Sequence, residues 1–229
     1  MIVTDRMVFL HLHKSGGTFV NALLLRCIPS ARPVGYHYPY RELPEQYRNL
    51  PVVGTVRNPW GYYVSWYHFQ ANQPRPNILF EICSDAGNLG FTETIANLVN
   101  LSNDRKRLAL LEEGLPADYA KRGLNLTKAS VRELAERDVG FYSFLYGRLY
   151  AGATKPAILK MEALRQELRA TLSLMGHLPN ECAEQFLDEA PALNATPHDA
   201  AFTCFDDRLA SLVADRDQMV IRRHGYAFE

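Results

Sequence analysis

The residues best spaced for chemistry lie in the first quarter of the chain. His11-Leu12-His13-Lys14-Ser15-Gly16-Gly17-Thr18 sets one lysine and two hydroxyls around a glycine pair. Glycines let a backbone turn so tightly that successive N–H groups converge on one anion, and a helix starting there adds its unsatisfied N–H groups and positive dipole end. Lys14 supplies a mobile positive charge, and Ser15 and Thr18 supply further donors. Such a turn suits a phosphate or a sulfate. Two adjacent glycines also make ordinary strand-to-helix turns with a solvated lysine beside them, so the loop alone leaves both readings open. It is not the nucleotide-kinase loop, in which the lysine follows the glycines and precedes a Ser or Thr for magnesium.

A second cluster follows. Arg57-Asn58-Pro59 stands where a strand gives way to a helix, the crevice side on which open α/β sheets bind ligands. With a helix starting near Asn58, residues 57, 61 and 65 fall at four-residue intervals, so Arg57 and the hydroxyl of Ser65 flank the bare Gly61 and leave room for an anion. A cation at a helix start is unfavourable until an anion relieves it. Trp60, Tyr63, Trp66 and Tyr67 are expected to pack or line a groove, one of them stacking on a purine at most.

A residue able to take a proton from a hydroxyl is sought among those that titrate near neutrality, which favours histidine, with its ordinary pKa of about 6.5. His37, in the aromatic run Gly35 to Tyr40 between the two clusters, is the first choice, and His11 and His13 are its rivals. Glu42 and Glu45 are further candidates, although a carboxylate with an ordinary pKa of about 4.3 needs burial to serve. Each histidine also has a plain structural reading, as a satisfied core residue or a loop-orienting one.

The elements that must position these groups can be traced by periodicity. Val8 to Leu12 reads as a strand, and Val20, Leu23, Leu24 and Cys27 give helical spacing to the segment Phe19 to Cys27. Pro51 to Val56 reads as a second strand, with Asn58 as N-cap and Pro59 as first residue of a helix to about Phe69. A short helix is expected around Glu42 to Arg48, and an irregular helical stretch from Phe91 to Tyr150 with a turn near Gly114. Ala157 to Lys160 reads as another strand, Leu164, Leu168, Leu172 and Met175 as a helix stopped by Gly176, and about Phe205 to Arg223 as a last helix. Strands alternating with helices predict an α/β fold: a central, mainly parallel sheet flanked by helices, with a helical middle insertion.

Composition narrows the rest. At 229 residues one domain spanning 1–229 is expected, with about 72–155 as a helical insertion, to which the resemblance given below assigns the acceptor side. Twenty-five basic residues balance twenty-five acidic ones, so no overall field draws the chain to nucleic acid, and any anion site must be local. No stretch approaches the roughly 20 apolar residues that span a bilayer, and neither a signal peptide nor an integral membrane segment is expected. Cys27, Cys83, Cys182 and Cys204 lack close-pair spacing, which argues against a zinc site and reads as four reduced thiols in a cytoplasmic protein.

Together, Lys14-Ser15-Gly16-Gly17-Thr18 and Arg57-Asn58-Pro59 with Ser65 resemble the two signature elements of the PAPS-dependent sulfotransferases, where PAPS is 3′-phosphoadenosine 5′-phosphosulfate. Leu159-Lys160-Met161-Glu162-Ala163-Leu164 resembles that family's later strand-to-helix element, and Arg216-Asp217-Gln218 through His224-Gly225-Tyr226 resembles the C-terminal helix of its carbohydrate-type and bacterial members. His13, where many relatives carry Pro, and Gly61-Tyr62, in place of a frequently charged pair, depart from the pattern. The resemblance implies a P-loop-NTPase-like fold and PAPS as donor, with PAP, its desulfated form, as product and no metal. Lys14, Ser15, Gly16, Gly17 and Thr18 would hold the 5′-phosphosulfate, Arg57 and Ser65 the 3′-phosphate, and Lys14 and His37 would be catalytic. The acceptor, a small molecule or a glycan, and the oligomeric state are left open. Two other readings keep the fold: a P-loop-type nucleotide-dependent kinase, and a nucleotide-binding module without turnover.

Overall fold

The computed structural model describes residues 1–120, 123, 125–191 and 201–228. Its strands are β1 (Ile2–Val3), β2 (Val8–Leu10), β3 (Arg32–Pro33), β4 (Val52–Val56) and β5 (Ala157–Lys160), in the order β3-β1-β2-β4-β5. The helices begin with α1 (Gly17–Cys27), α2 (Pro59–Ala71), α3 (Ile78–Cys83), α4 (Phe91–Val99), α5 (Arg105–Gly114) and α6 (Lys128–Ala135). They continue with α7 (Phe141–Tyr150), α8 (Leu164–Leu174), α9 (Glu181–Glu189), α10 (Ala201–Cys204), α11 (Asp207–Arg216) and α12 (Gln218–His224). The described residues group into two compact units, one of 1–57, 123 and 147–191, the other of 58–120, 125–146 and 201–228.

The first unit holds the whole sheet. β2, β4 and β5 pair in parallel, as alternating strands and helices predict, while β1 lies antiparallel between β2 and β3. β1 and β3 were not foreseen, because two-residue strands carry no measurable period. Alternation along the strands sends Phe9, Val53 and Leu159 into one apolar core with Val20, Leu23 and Leu24 of α1, Leu168 and Leu172 of α8, and Phe186 and Leu187 of α9. On β4, Gly54 lies under Tyr150: a Cβ there would stand 2.6 Å from the ring's Cζ. The Tyr150 hydroxyl accepts from Thr55 N at 2.9 Å and donates to Thr55 O at 2.8 Å. Both faces of β4 are thus occupied, which is why its five residues can be buried without alternation.

Several boundaries follow local chemistry. Asn58 caps α2, its Oδ1 accepting from Trp60 N at 3.2 Å, with Pro59 as the first helical residue. α8 gives way just before Gly176, whose φ of +70° ends the helical path. The helix expected around Glu42 to Arg48 is instead two single 3-10 turns, Tyr40–Glu42 and Glu45–Tyr47, interrupted by Pro44.

The second unit contains α2 to α6, the start of α7, and α10 to α12. Here the single last helix expected from Phe205 to Arg223 is broken at Asp217. That carboxylate is fully buried and accepts from Tyr63 Oη and Ser143 N, each at 2.7 Å. Gly140 leaves space for it, since a Cβ would meet the carboxyl carbon at 2.6 Å. Burial pushes the Asp217 pKa up, and these donors oppose the rise. Turning the side chain inward to meet them separates α11 from α12.

One expectation fails outright. Cys27 and Cys182 are not reduced thiols but a disulfide joining the end of α1 to the first turn of α9, with Cα atoms 5.4 Å apart. Their 155-residue separation hides the pairing from any reading of spacing. Asn180 supports it by donating through Nδ2 to Cys27 O at 3.0 Å. Cys83 and Cys204 stay free, and burial pushes the Cys83 thiol up to about 12. Among the described residues no helix is long and apolar enough to cross a membrane.

Candidate active site

Parallel pairing of β2, β4 and β5 brings three strand ends to one edge of the sheet. From β2 the chain enters the loop 11–16 and then α1; from β4 it reaches Arg57; from β5 it turns through Met161–Ala163 into α8. The two glycines of the loop serve different needs. Gly16 precedes α1 with φ +81°, a left-handed conformation that costs other residues about 1–2 kcal/mol, and a Cβ there would stand 2.7 Å from Leu164 Cδ2. Gly17 is helical, but a Cβ would lie 2.5 Å from His11 Nε2 and 2.6 Å from His11 Cγ, inside the ring's contact radius. The Leu159 to Leu164 element singled out in the sequence therefore packs against the glycine turn itself.

Lys14 sits at the crest of the loop in a left-handed conformation, φ +50°, and its main-chain oxygen accepts from Arg57 Nη1 at 3.2 Å. Burial, with the Arg57 charge adding to it, lowers the Lys14 pKa to about 8. Two cationic side chains therefore share the sheet edge. Ser15 is fully buried and spends its hydroxyl proton on His13 O at 2.9 Å, which tightens the turn from within. Thr18, half-buried in the first turn of α1, hydrogen-bonds Tyr36, whose phenol is shifted up by burial.

His37 belongs to the same cluster. It too has a positive φ, +55°, and its Nδ1 lies 2.7 Å from His11 O. Its ring centroid is 3.7 Å from that of His13, 4.2 Å from His11 and 4.1 Å from Tyr36. Burial above all, with His13 and His11 close by, holds the His37 pKa well below 6.5, so the imidazole is neutral at pH 7. His11 is buried at 3% exposure, faces Asn21 Nδ2 through Nδ1 at 3.0 Å, and is likewise held neutral by burial first. The rings meet at tilted or edge-on angles, and among the described residues no group of three or more His, Cys, Asp or Glu side chains is placed to hold a metal ion.

Lys14, Ser15, Gly16, Gly17, Thr18, Arg57, His11, His13 and His37 thus gather in the first unit. Glu42 and Glu45 are exposed and pair with Arg41 and Arg48 at 3.6 Å each, far from the burial a carboxylate base requires. Ser65 lies in the second unit, buried in α2. Reading the sequence missed Tyr36 and Asn21. Only its position beside His37 could have signalled Tyr36, and only its place one turn after Gly17 could have signalled Asn21.

The loop and its neighbours form a cationic, amide-lined turn beside a neutral imidazole, an arrangement fitted to receive an anion and to take a proton from a hydroxyl. No curated protein matches the chain. A family model does: residues 5–108, which contain the glycine turn, His37 and Arg57, match the sulfotransferase domain, whose P-loop-like α/β fold agrees with the strand, glycine turn and helix seen here.

Proposed function

We propose that the protein transfers a sulfuryl group from PAPS to an acceptor hydroxyl, with PAP as the product and no metal taking part. The observation that carries this reading is the contact of Arg57 Nη1 with the Lys14 main-chain oxygen, which brings the guanidinium to the glycine turn; burial first, and the Arg57 charge second, lower the Lys14 pKa, which a bound anion would restore. Gly17 and Thr18 open α1, where the positive end of a helix dipole favours an anion, and a Gly16 in left-handed geometry brings the backbone close.

Sulfuryl transfer, like phosphoryl transfer, proceeds in line and is catalysed chiefly by positioning and charge stabilisation. Lys14 would meet the negative charge that builds on the leaving 5′-phosphate, with the amides of Gly16, Gly17 and Thr18 holding that phosphate. Ser15 would contribute through the turn it tightens. Arg57 would hold the 3′-phosphate, and Ser65 is retained as its second holder on the motif's spacing alone. His37, neutral at pH 7, would accept the acceptor's proton. The acceptor is a hydroxyl of a small molecule or a glycan, received beside His37, where Tyr36 and Tyr38 are half-buried.

Calorimetric titration with PAP, and with ATP plus magnesium, tests the donor. Micromolar or tighter PAP binding with weaker ATP binding is expected; the reverse order would favour a kinase, and PAP binding without transfer to any acceptor a binding module. Lys14→Ala is expected to retain measurable PAP affinity while losing at least about a hundredfold in turnover, and Arg57→Ala to weaken PAP chiefly in binding. Wild-type turnover from Lys14→Ala would remove the lysine from the mechanism.

A further inference from the structure

We infer that His11 is the positioning residue of this site, floor to the anion loop and orienter of the base, and not a base itself. The inference rests on the reading of His37 as base. Four contacts converge on His11. Its ring lies where a side chain on Gly17 would be, so the first turn of α1 rests directly on the imidazole. Its Nδ1 faces the Asn21 amide at 3.0 Å, one turn further along the same helix. Its main-chain oxygen is 2.7 Å from His37 Nδ1, and its ring is 4.2 Å from the His37 ring, centroid to centroid.

A carbonyl oxygen can only accept, so His37 Nδ1 must carry the proton and donate it, which leaves the Nε2 lone pair bare and able to take a proton from a hydroxyl. The Asn21 amide nitrogen can only donate, so His11 Nδ1 accepts and the His11 proton sits on Nε2. The two buried imidazoles therefore hold opposite tautomers, each set by a different hydrogen bond, and both bonds pass through His11. Displacing its ring would drop the floor beneath Gly17 and shift the carbonyl that fixes His37. The positive φ of His37 accords with this, since a residue held in a sparsely populated conformation needs surroundings that over-determine it.

Nitrogen-15 spectra of the imidazoles at pH 7 test the assignment without turnover. His37 is expected as the Nδ1–H tautomer and His11 as the Nε2–H tautomer. Asn21→Asp, of the same shape but able only to accept when ionised, is expected to switch His11 to Nδ1–H. His11→Ala is expected to average the His37 tautomers and raise the PAP dissociation constant by at least about fivefold, about 1 kcal/mol. His11→Phe keeps a ring under Gly17 and is expected to restore both to within about twofold of wild type, which no general base could survive in turnover. An Nε2–H tautomer for His37 in the wild type would overturn the inference, as would His11→Ala with unchanged His37 spectrum and PAP affinity. Should His11→Ala fail to fold, loss of turnover in a folded His11→Phe that still binds PAP would overturn it instead. Failure of the wild type to bind PAP would count against the proposed function and leave the tautomer result standing.

Discussion

Gly17→Ala is the sharpest perturbation of the glycine turn, because it adds one methyl and changes no charge or hydrogen-bond donor. Gly17 is already helical, so alanine's conformational cost is nil or favourable. Everything therefore turns on space. The new Cβ would fall 2.5 Å from His11 Nε2 and 2.6 Å from Cγ, and nearer still to Cδ2. The ring cannot swing clear: it is 3% exposed, held by Asn21 and packed on His37. Overpacking of a closed site costs typically about 1–3 kcal/mol.

In a chain of this length that cost lowers Tm by about 2–12 °C. If the strain is relieved by lifting the first turn of α1 off its floor, PAP affinity falls by about 5- to 150-fold. Thermal melts and calorimetric titration with PAP read the two quantities. Gly17→Ala in a His11→Ala background removes the collision, and the double-mutant cycle is expected to show a coupling of at least about 1 kcal/mol in the compensating direction. Wild-type melting and PAP affinity in Gly17→Ala, or strict additivity in the cycle, would refute the claim that the loop rests on His11. Gly16→Ala provides the contrast. There the steric neighbour is a terminal methyl of Leu164 that can yield, so the loss comes from the left-handed backbone, about 1–2 kcal/mol, and is not rescued by His11→Ala.

Two further outcomes follow from charge and from the covalent link. With Lys14 held at about 8 instead of its ordinary 10.5, the unfolded chain binds the extra proton between those values, so this group's contribution to stability rises with pH from about 8 to 10.5; below 8 both states are charged and the burial cost is present in full. An anion beside Lys14 raises its pKa, so PAP binding takes up a proton near pH 8 and weakens above it; calorimetry in buffers of different ionisation enthalpy should show the uptake, Lys14→Arg should abolish it, and a flat profile in the wild type would exclude Lys14 from the phosphate site. Cys27→Ser with Cys182→Ser is expected to cost about 2–4 kcal/mol in denaturant unfolding, and dithiothreitol should reproduce the loss in the wild type, whereas alkylation of all four cysteines without prior reduction would contradict the bridge.

What could be read from the sequence was what is encoded over short distances. Val52–Val56 and Ala157–Lys160 carry enough β-branched and aliphatic residues to declare themselves, Asn58-Pro59 writes a helix start in two residues, and Gly176 writes a helix stop in one. The glycine turn between β2 and α1 was legible for the same reason, since its lysine, hydroxyls and glycines are contiguous. Contacts made by folding had no such signature. Nothing near Cys27 points to Cys182, nothing near Asp217 announces that Tyr63 and Ser143 will draw it inward and split a helix, and a two-residue strand such as Ile2–Val3 pairs only because its neighbours are in place.

The glycine pair shows where the two kinds of information meet. Read along the chain, Gly16 and Gly17 look interchangeable, two flexible residues in a turn. In the fold Gly16 is needed for a torsion angle and Gly17 for a vacancy, and the vacancy is filled by a histidine from the strand end six residues earlier. Because that histidine also presents its carbonyl to His37, the same missing methyl that opens the proposed anion site at α1 also makes room for the residue that orients the imidazole proposed to deprotonate the acceptor. A substitution that spared the loop's charge but filled the vacancy would therefore disturb donor and base together, whereas one at Arg57 would disturb the donor alone.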